Sequence, residues 1–280
     1  MKMIFGFDII FIVRVLLLLV AVGLAAYFDY KTGYIYDWIS LPLIGLGLIL
    51  NIFTYYYIDV LEICLIALTI YIVGYIAYYF GKIGGGDIKL FIGIHMVLPY
   101  FYNQVFILWV IIAASLLSVL FVSISYIIKL YSKIKLTNKF LKEKTWKIIK
   151  SLGLFILFTA FLIFSVVYGG LPAYVYLTLP PMFFGSVVMI FEEEVKKYIY
   201  LRKKPIDKLE EGDVLASEFA TKELLDKIGL GKRTVLEKED IEKIKLLKLT
   251  TLPIYDYLPR FGIYILFGVI SVLVLGYFVF

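Results

Sequence analysis

Cysteine and histidine are almost missing from this chain: 280 residues hold one of each, Cys64 and His95. A lone cysteine excludes an internal disulfide and a four-cysteine zinc site, and it says nothing about redox compartment. His95 has no partner at metal-ligand spacing and reads as a packed, hydrogen-bonded helix residue. Charge is scarce too, at 18% of residues against 62% hydrophobic, with a mean hydropathy of +0.94. A soluble core of this size cannot hide that much apolar surface, so the setting is a lipid bilayer. The 24 Tyr and 23 Phe fit it, since their rings can lie at the headgroup level or pack between helices. No nucleotide-binding or metal-binding motif occurs in the charged C-terminal segment, and neither a cofactor, a metal nor a nucleic-acid partner is expected.

About 20 apolar residues are needed to cross the hydrocarbon as a helix. Such runs lie at 9–28, 38–57, 60–80, 104–128, 152–170, 174–191 and 261–280, and a shorter one at 88–98 reaches roughly half-way at about 1.5 Å per residue. The first run begins close to Asp8, contains Arg14 and lacks a following A-x-A-like site, so it reads as a retained helix. Asp8 and Arg14 are too far apart to share a helix face, which leaves Arg14 to find a partner in the bundle. The predicted fold is an all-α polytopic membrane protein of about eight helices, one of them short, with a small cytoplasmic α+β insertion. Its parts are a transmembrane domain at 1–191, the insertion at 192–257 and a last helix at 258–280.

Loop charge orients the chain, because Lys and Arg collect on the cytoplasmic side. Loops near 58–59, 99–103 and 171–173 have neither, whereas those between carry Lys31, then Lys82 and Lys89, then a lysine run from Lys129 to Lys150. The N-terminus is therefore expected outside. That lysine run could also meet anionic lipid, but orientation alone accounts for it. In the insertion, Gly212 and Gly229-Leu230-Gly231 mark turns, Val214-Leu215 a short strand, and Glu237 to Leu249 an amphipathic helix.

Two carboxylates stand out in this frame. Asp29 ends the first apolar run, and Asp87 follows Gly84-Gly85-Gly86 at the start of the short helix. An ionisable group near a span is costly and marks a candidate functional site. The orientation puts both at the inner face at similar depth. Glycine permits φ > 0 and close approach of another backbone, so Gly84 and Gly86 would leave room for an extended peptide beside Asp87. The plain structural role for Asp87 is a cap on the helix that follows. Asp37, before Trp38, reads as the N-cap of the second helix. Lys89 either acts on Asp87 or a substrate backbone, or reaches for the headgroups. Glu62 reads as interfacial.

The stretch Phe28-Asp29-Tyr30-Lys31-Thr32-Gly33 and the G-x-G-D run Gly84-Gly85-Gly86-Asp87 together resemble the type IV prepilin peptidase family of membrane aspartyl proteases, in its archaeal preflagellin and prepilin peptidase branch. The resemblance is closest over 25–40 and 81–93, and Gly212-Asp213-Val214-Leu215-Ala216 also resembles archaeal members. It implies catalytic roles for Asp29 and Asp87, with Gly84, Gly86 and Lys89 as motif support. It further implies pilin-like or flagellin-like precursors as substrates, cut at the cytoplasmic face of the cell membrane, just before their apolar segment. The paired cysteines and methyltransferase activity of the bacterial branch are not expected here. The extra helix pair at 152–191 goes beyond the family's usual six spans.

Two carboxylates about 3 Å apart share one proton, so one serves as base and the other as acid, with roles unassigned. A presenilin-type protease would want a Tyr-Asp pair within a helix, which Phe28-Asp29 at a helix end fits poorly. The alternative from another class is a carboxylate-coupled ion or proton transporter. It would call for broken helices in both halves, and glycine interrupts only the first. An inactive scaffold is the third reading.

Overall fold

The computed structural model describes residues 3–4, 7–134, 138–171, 173–220, 225, 234–246, 250–255 and 260–279. After a two-stranded ribbon, β1 (Met3–Ile4) and β2 (Phe7–Asp8), come helices α1 (Ile9–Thr32), α2 (Asp37–Thr54), α3 (Tyr57–Tyr79) and α4 (Gly85–Val97). A second ribbon, β3 (Tyr100–Phe101) and β4 (Gln104–Val105), leads to α5 (Phe106–Tyr131), α6 (Asn138–Glu143) and α7 (Thr145–Val167). A 3₁₀ turn, Ala173–Thr178, opens α8 (Leu179–Ile190), and α9 (Glu192–Val195) follows.

Five of these helices, α1, α2, α3, α5 and α7, are long and apolar enough to cross a membrane, and the number is six if α8 and its continuation form one span. The protein is a mostly helical, multi-pass membrane protein with a small α+β part. Two expected spans come out differently. The run at 174–191 is a 3₁₀ turn and a 12-residue helix, and the segment Val175–Ile190 bends by 77° into Glu192–Tyr200. Three glutamates in a row after Phe191 favour leaving the apolar layer over extending the helix. The last helix, α11 (Gly262–Val279), has an apolar part, Gly262–Gly276, shorter than the other spans, and Phe280 lies outside the described residues.

Apolar spacing decides the packing. Leu18, Val22, Ala25 and Ala26 form one face of α1, and with Ile39 and Leu43 of α2, Leu90 and Ile94 of α4, Val110 of α5 and Ile265 and Val269 of α11 they line the core. At about 1.5 Å per residue, the 13 residues of α4 rise roughly 20 Å, so α4 does not span. It is buried from Ile88 to Val97 apart from Lys89 and Ile92, as a helix apolar on all sides must be. Glycine lets it sit so deep: a Cβ on Gly47 of α2 would lie 2.5 Å from the Met96 backbone. α3 packs on α4 and turns most of its apolar surface outward.

Arg14, 3% exposed, ties the far end of the bundle together. It donates to Asn51 Oδ1 at 2.8 Å, the Val97 carbonyl at 2.6 Å and Thr54 Oγ1 at 3.2 Å, and its guanidinium lies 5.5 Å from the Tyr55 ring centroid. The bundle partner expected for Arg14 is thus a set of neutral acceptors. The side chain of Asp8 lies outside the described residues.

The charged segment holds a three-stranded antiparallel sheet in the order β5 (Leu201–Pro205), β7 (Thr251–Tyr255), β6 (Val214–Leu215), with α10 (Lys238–Leu246) against it. Ile241 and Ile244 of α10 meet Leu215, Leu236, Leu252 and Ile254 in a separate small core. The strand expected at Val214-Leu215 is β6, and Gly212, with φ +97°, makes the turn before it. The turn expected at 229–231 and the helix end at 247–249 lie outside the described residues. Lysines of the 129–150 run are partly committed: buried Lys144 bonds Glu193 and Glu194, each at 2.8 Å, and Lys147 bonds Glu193.

Candidate active site

Asp29 continues the buried face of α1, eleven residues after Leu18 and three after Ala26, which turns its side chain inward rather than to solvent. It is 6% exposed. The helix ends one turn later, where Gly33 at φ +80° donates its N–H to the Asp29 carbonyl at 2.9 Å, a left-handed terminus that a residue with Cβ would strain. Thr32 Oγ1 returns a bond to the Phe28 carbonyl at 2.8 Å.

Asp87 is the third residue of α4. Its Oδ2 accepts the Gly84 N–H at 3.2 Å, so the expected capping role is real, though played from inside the helix and not from the cap position. The glycines before it act through space and not through unusual dihedrals. Gly84 has φ −75°, and the positive-φ glycine of this turn is Gly81. A Cβ on Gly86 would lie 2.9 Å from the Ile35 Cβ and carbonyl, and one on Gly84 would lie 2.9 Å from Asp87 Oδ2. The room expected for a foreign peptide at Gly86 is occupied by Ile35 of the chain itself. That contact seats the α1–α2 loop on the start of α4.

Asp29 and Asp87 therefore lie at the same end of the bundle. They are close enough for the charge on Asp29 to act on Asp87, yet no hydrogen bond or ion pair joins them among the described residues. Asp87 is pushed up to about 7, first by burial and then by the Asp29 charge, against the Gly84 N–H bond. Asp29 Oδ2 accepts the Gly262 N–H at 2.8 Å, and Arg260 bears on it electrostatically.

The Lys89 ammonium lies 2.6 Å from Asp37 Oδ1, a partner on α2 that the sequence did not single out for it. Asp37 is accordingly not the N-cap of α2. Tyr36 holds that position without a side-chain bond, because the Asp37 carboxylate is drawn to a lysine on α4. His95 is fully buried, with Nε2 3.1 Å from the Ile63 carbonyl. Among the described residues, no group of three or more His, Cys, Asp and Glu could hold a metal ion.

Gly262 and Arg260 escaped the sequence reading. The signal for them was slight, an arginine just before the last apolar run and a glycine at its start. Their importance comes from α11 folding back onto α1, with Gly262 so close that a Cβ would lie 3.0 Å from Asp29 Oδ2.

The fold and the paired carboxylates define a polytopic membrane protein with a candidate aspartyl site at one end of its helix bundle. Residues 16–128, which include Asp29 and Asp87, match the model of the type IV leader peptidase family, and over this stretch the chain is similar to that family. No curated protein and no solved structure matches the chain.

Proposed function

We propose that the protein is an endopeptidase that removes the short basic leader from preflagellin-like or prepilin-like subunits, with Asp29 and Asp87 as its catalytic pair. The observation that carries this reading is that α1 and α4 bring two carboxylates, distant in sequence, within electrostatic reach, and that neither is in an ion pair among the described residues. One carboxylate takes a proton from water as its oxygen attacks the scissile carbonyl, and the other donates a proton to the carbonyl oxygen. Gly84 and Gly86 keep the turn before Asp87 tight. Lys89 supports the motif through Asp37.

The active site faces the cytoplasm in this reading, supported by the alternation of basic and uncharged loops. Residues 1–191 with the segment 258–280 form the membrane unit, and 192–257 form the cytoplasmic one. The similarity to archaeal members rests on the motif residues and on the Gly212–Ala216 run. A precursor with a basic leader and an apolar segment in the bilayer would offer its junction at this depth.

The test is cleavage of such a precursor by the full chain and by Asp29→Ala and Asp87→Ala, each in membranes. Each variant should accumulate as the parent does and lose at least about a thousandfold in activity, on the scale of removing one member of a catalytic unit. Cleavage retained by either would end the proposal.

A further inference from the structure

The two carboxylates stand in unequal surroundings. Asp29 Oδ2 receives the Gly262 N–H at 2.8 Å, from the first residue of the 18-residue helix α11. The first N–H groups of a helix lack intrahelical acceptors, and its dipole places roughly half a positive charge there. Arg260 adds a full charge that bears on Asp29. It is held by a bond from Nη1 to the Tyr30 carbonyl and lies 5.7 Å from the Tyr30 ring centroid.

Asp87 has none of this. Its one hydrogen bond among the described residues comes from the neutral Gly84 N–H at the longer distance of 3.2 Å. The cation nearest to it along α4, Lys89, is taken by Asp37 of α2. Lys31 of α1 lies 5.8 Å from the Tyr27 ring centroid. Among the described residues, Arg260 is the cation that bears on the pair, and it does so on the Asp29 side.

Resting on the aspartyl-peptidase reading, we propose that the start of α11 divides the labour of the pair. Gly262 and Arg260 hold Asp29 as the carboxylate that deprotonates water, while Asp87 carries the proton given to the scissile carbonyl oxygen. The cycle balances. Water loses a proton to Asp29, its oxygen bonds to the carbonyl carbon, and the Asp87 proton moves to the carbonyl oxygen, giving a gem-diol. The C–N bond then breaks as Asp29 passes its proton to the leaving nitrogen and Asp87 recovers one from a diol hydroxyl. Arg260 is a positioning residue, and α11, outside the family-matched stretch, completes the site.

Two measurements on the detergent-solubilised full chain test this. In the pH profile of kcat/KM with a leader-containing precursor, Arg260→Gln should move the acidic limb up by about half a unit or more, because an opposite charge favours the ionised base. Arg260→Lys should leave that limb near the parent's. In infrared spectra at pH 6, the protonated-carboxyl band should persist in Asp29→Asn and vanish in Asp87→Asn. The proposal is overturned if Gln and Lys give the same profile, or if the band follows Asp29. Failure of the peptidase reading looks different: the parent leaves precursors uncut, whatever the spectra show.

Discussion

The Lys89 ammonium sits 2.6 Å from the Asp37 carboxylate, tying α4 to α2 two residues beyond Asp87. Both side chains are well exposed, and such pairs contribute less than about 1 kcal/mol. Lys89→Met and Asp37→Asn should each change kcat/KM by no more than about fivefold, and the double variant should be no worse than the poorer single one. A hundredfold loss in Lys89→Met alone would mean that this lysine binds substrate.

Stability should fall with pH through Asp87. Its folded pKa, about 7, lies above the ordinary 3.8. Between these values the folded state binds the extra proton, so its advantage is complete below about 4 and is lost as pH rises to about 7. The melting temperature in detergent should therefore drop from pH 4.5 to pH 8 by more in the parent than in Asp87→Asn. Parallel curves would contradict the assignment.

Gly86 tests the contact between the two motif segments. A side chain there must push Ile35 and its backbone away, because the Cβ would lie 2.9 Å from both. Gly86→Val should cut precursor cleavage at least about tenfold, since small displacements of catalytic groups carry large rate losses. Helix content by circular dichroism should stay the same.

Asn51 is the hub at the opposite end of the bundle, accepting from Arg14 and donating to the Met96 carbonyl at 2.8 Å. Asn51→Leu leaves a buried guanidinium one acceptor short and a carbonyl without its donor. The loss should be about 2 kcal/mol or more, read from unfolding in mixed micelles. Asn51→Asp supplies a counter-charge and should be milder.

Much of the architecture was legible because it is a matter of length and period. Runs of apolar residues announce helices in a bilayer, and five have the length to cross it. The bend after Ile190 was harder to see, since an apolar run carries no mark of where its axis turns. Asp29 and Asp87 could be singled out from the cost of a carboxylate near lipid and from the glycines and Lys-Thr beside them. Their neighbours could not. Asp37 looks like a cap until Lys89 of another helix claims it, and Gly86 looks like open room until Ile35 fills it.

The sequence by itself determined that this is a membrane protein and that it carries two aspartates in contexts that resemble those of leader peptidases, because hydropathy and local motifs are properties of neighbours along the chain. Tertiary structure alone decided that Asp29 and Asp87 lie within electrostatic reach, and that α11 returns to set Gly262 and Arg260 on one of them and not on the other. Pairing across more than 200 residues depends on how whole helices pack, and no local spacing encodes it.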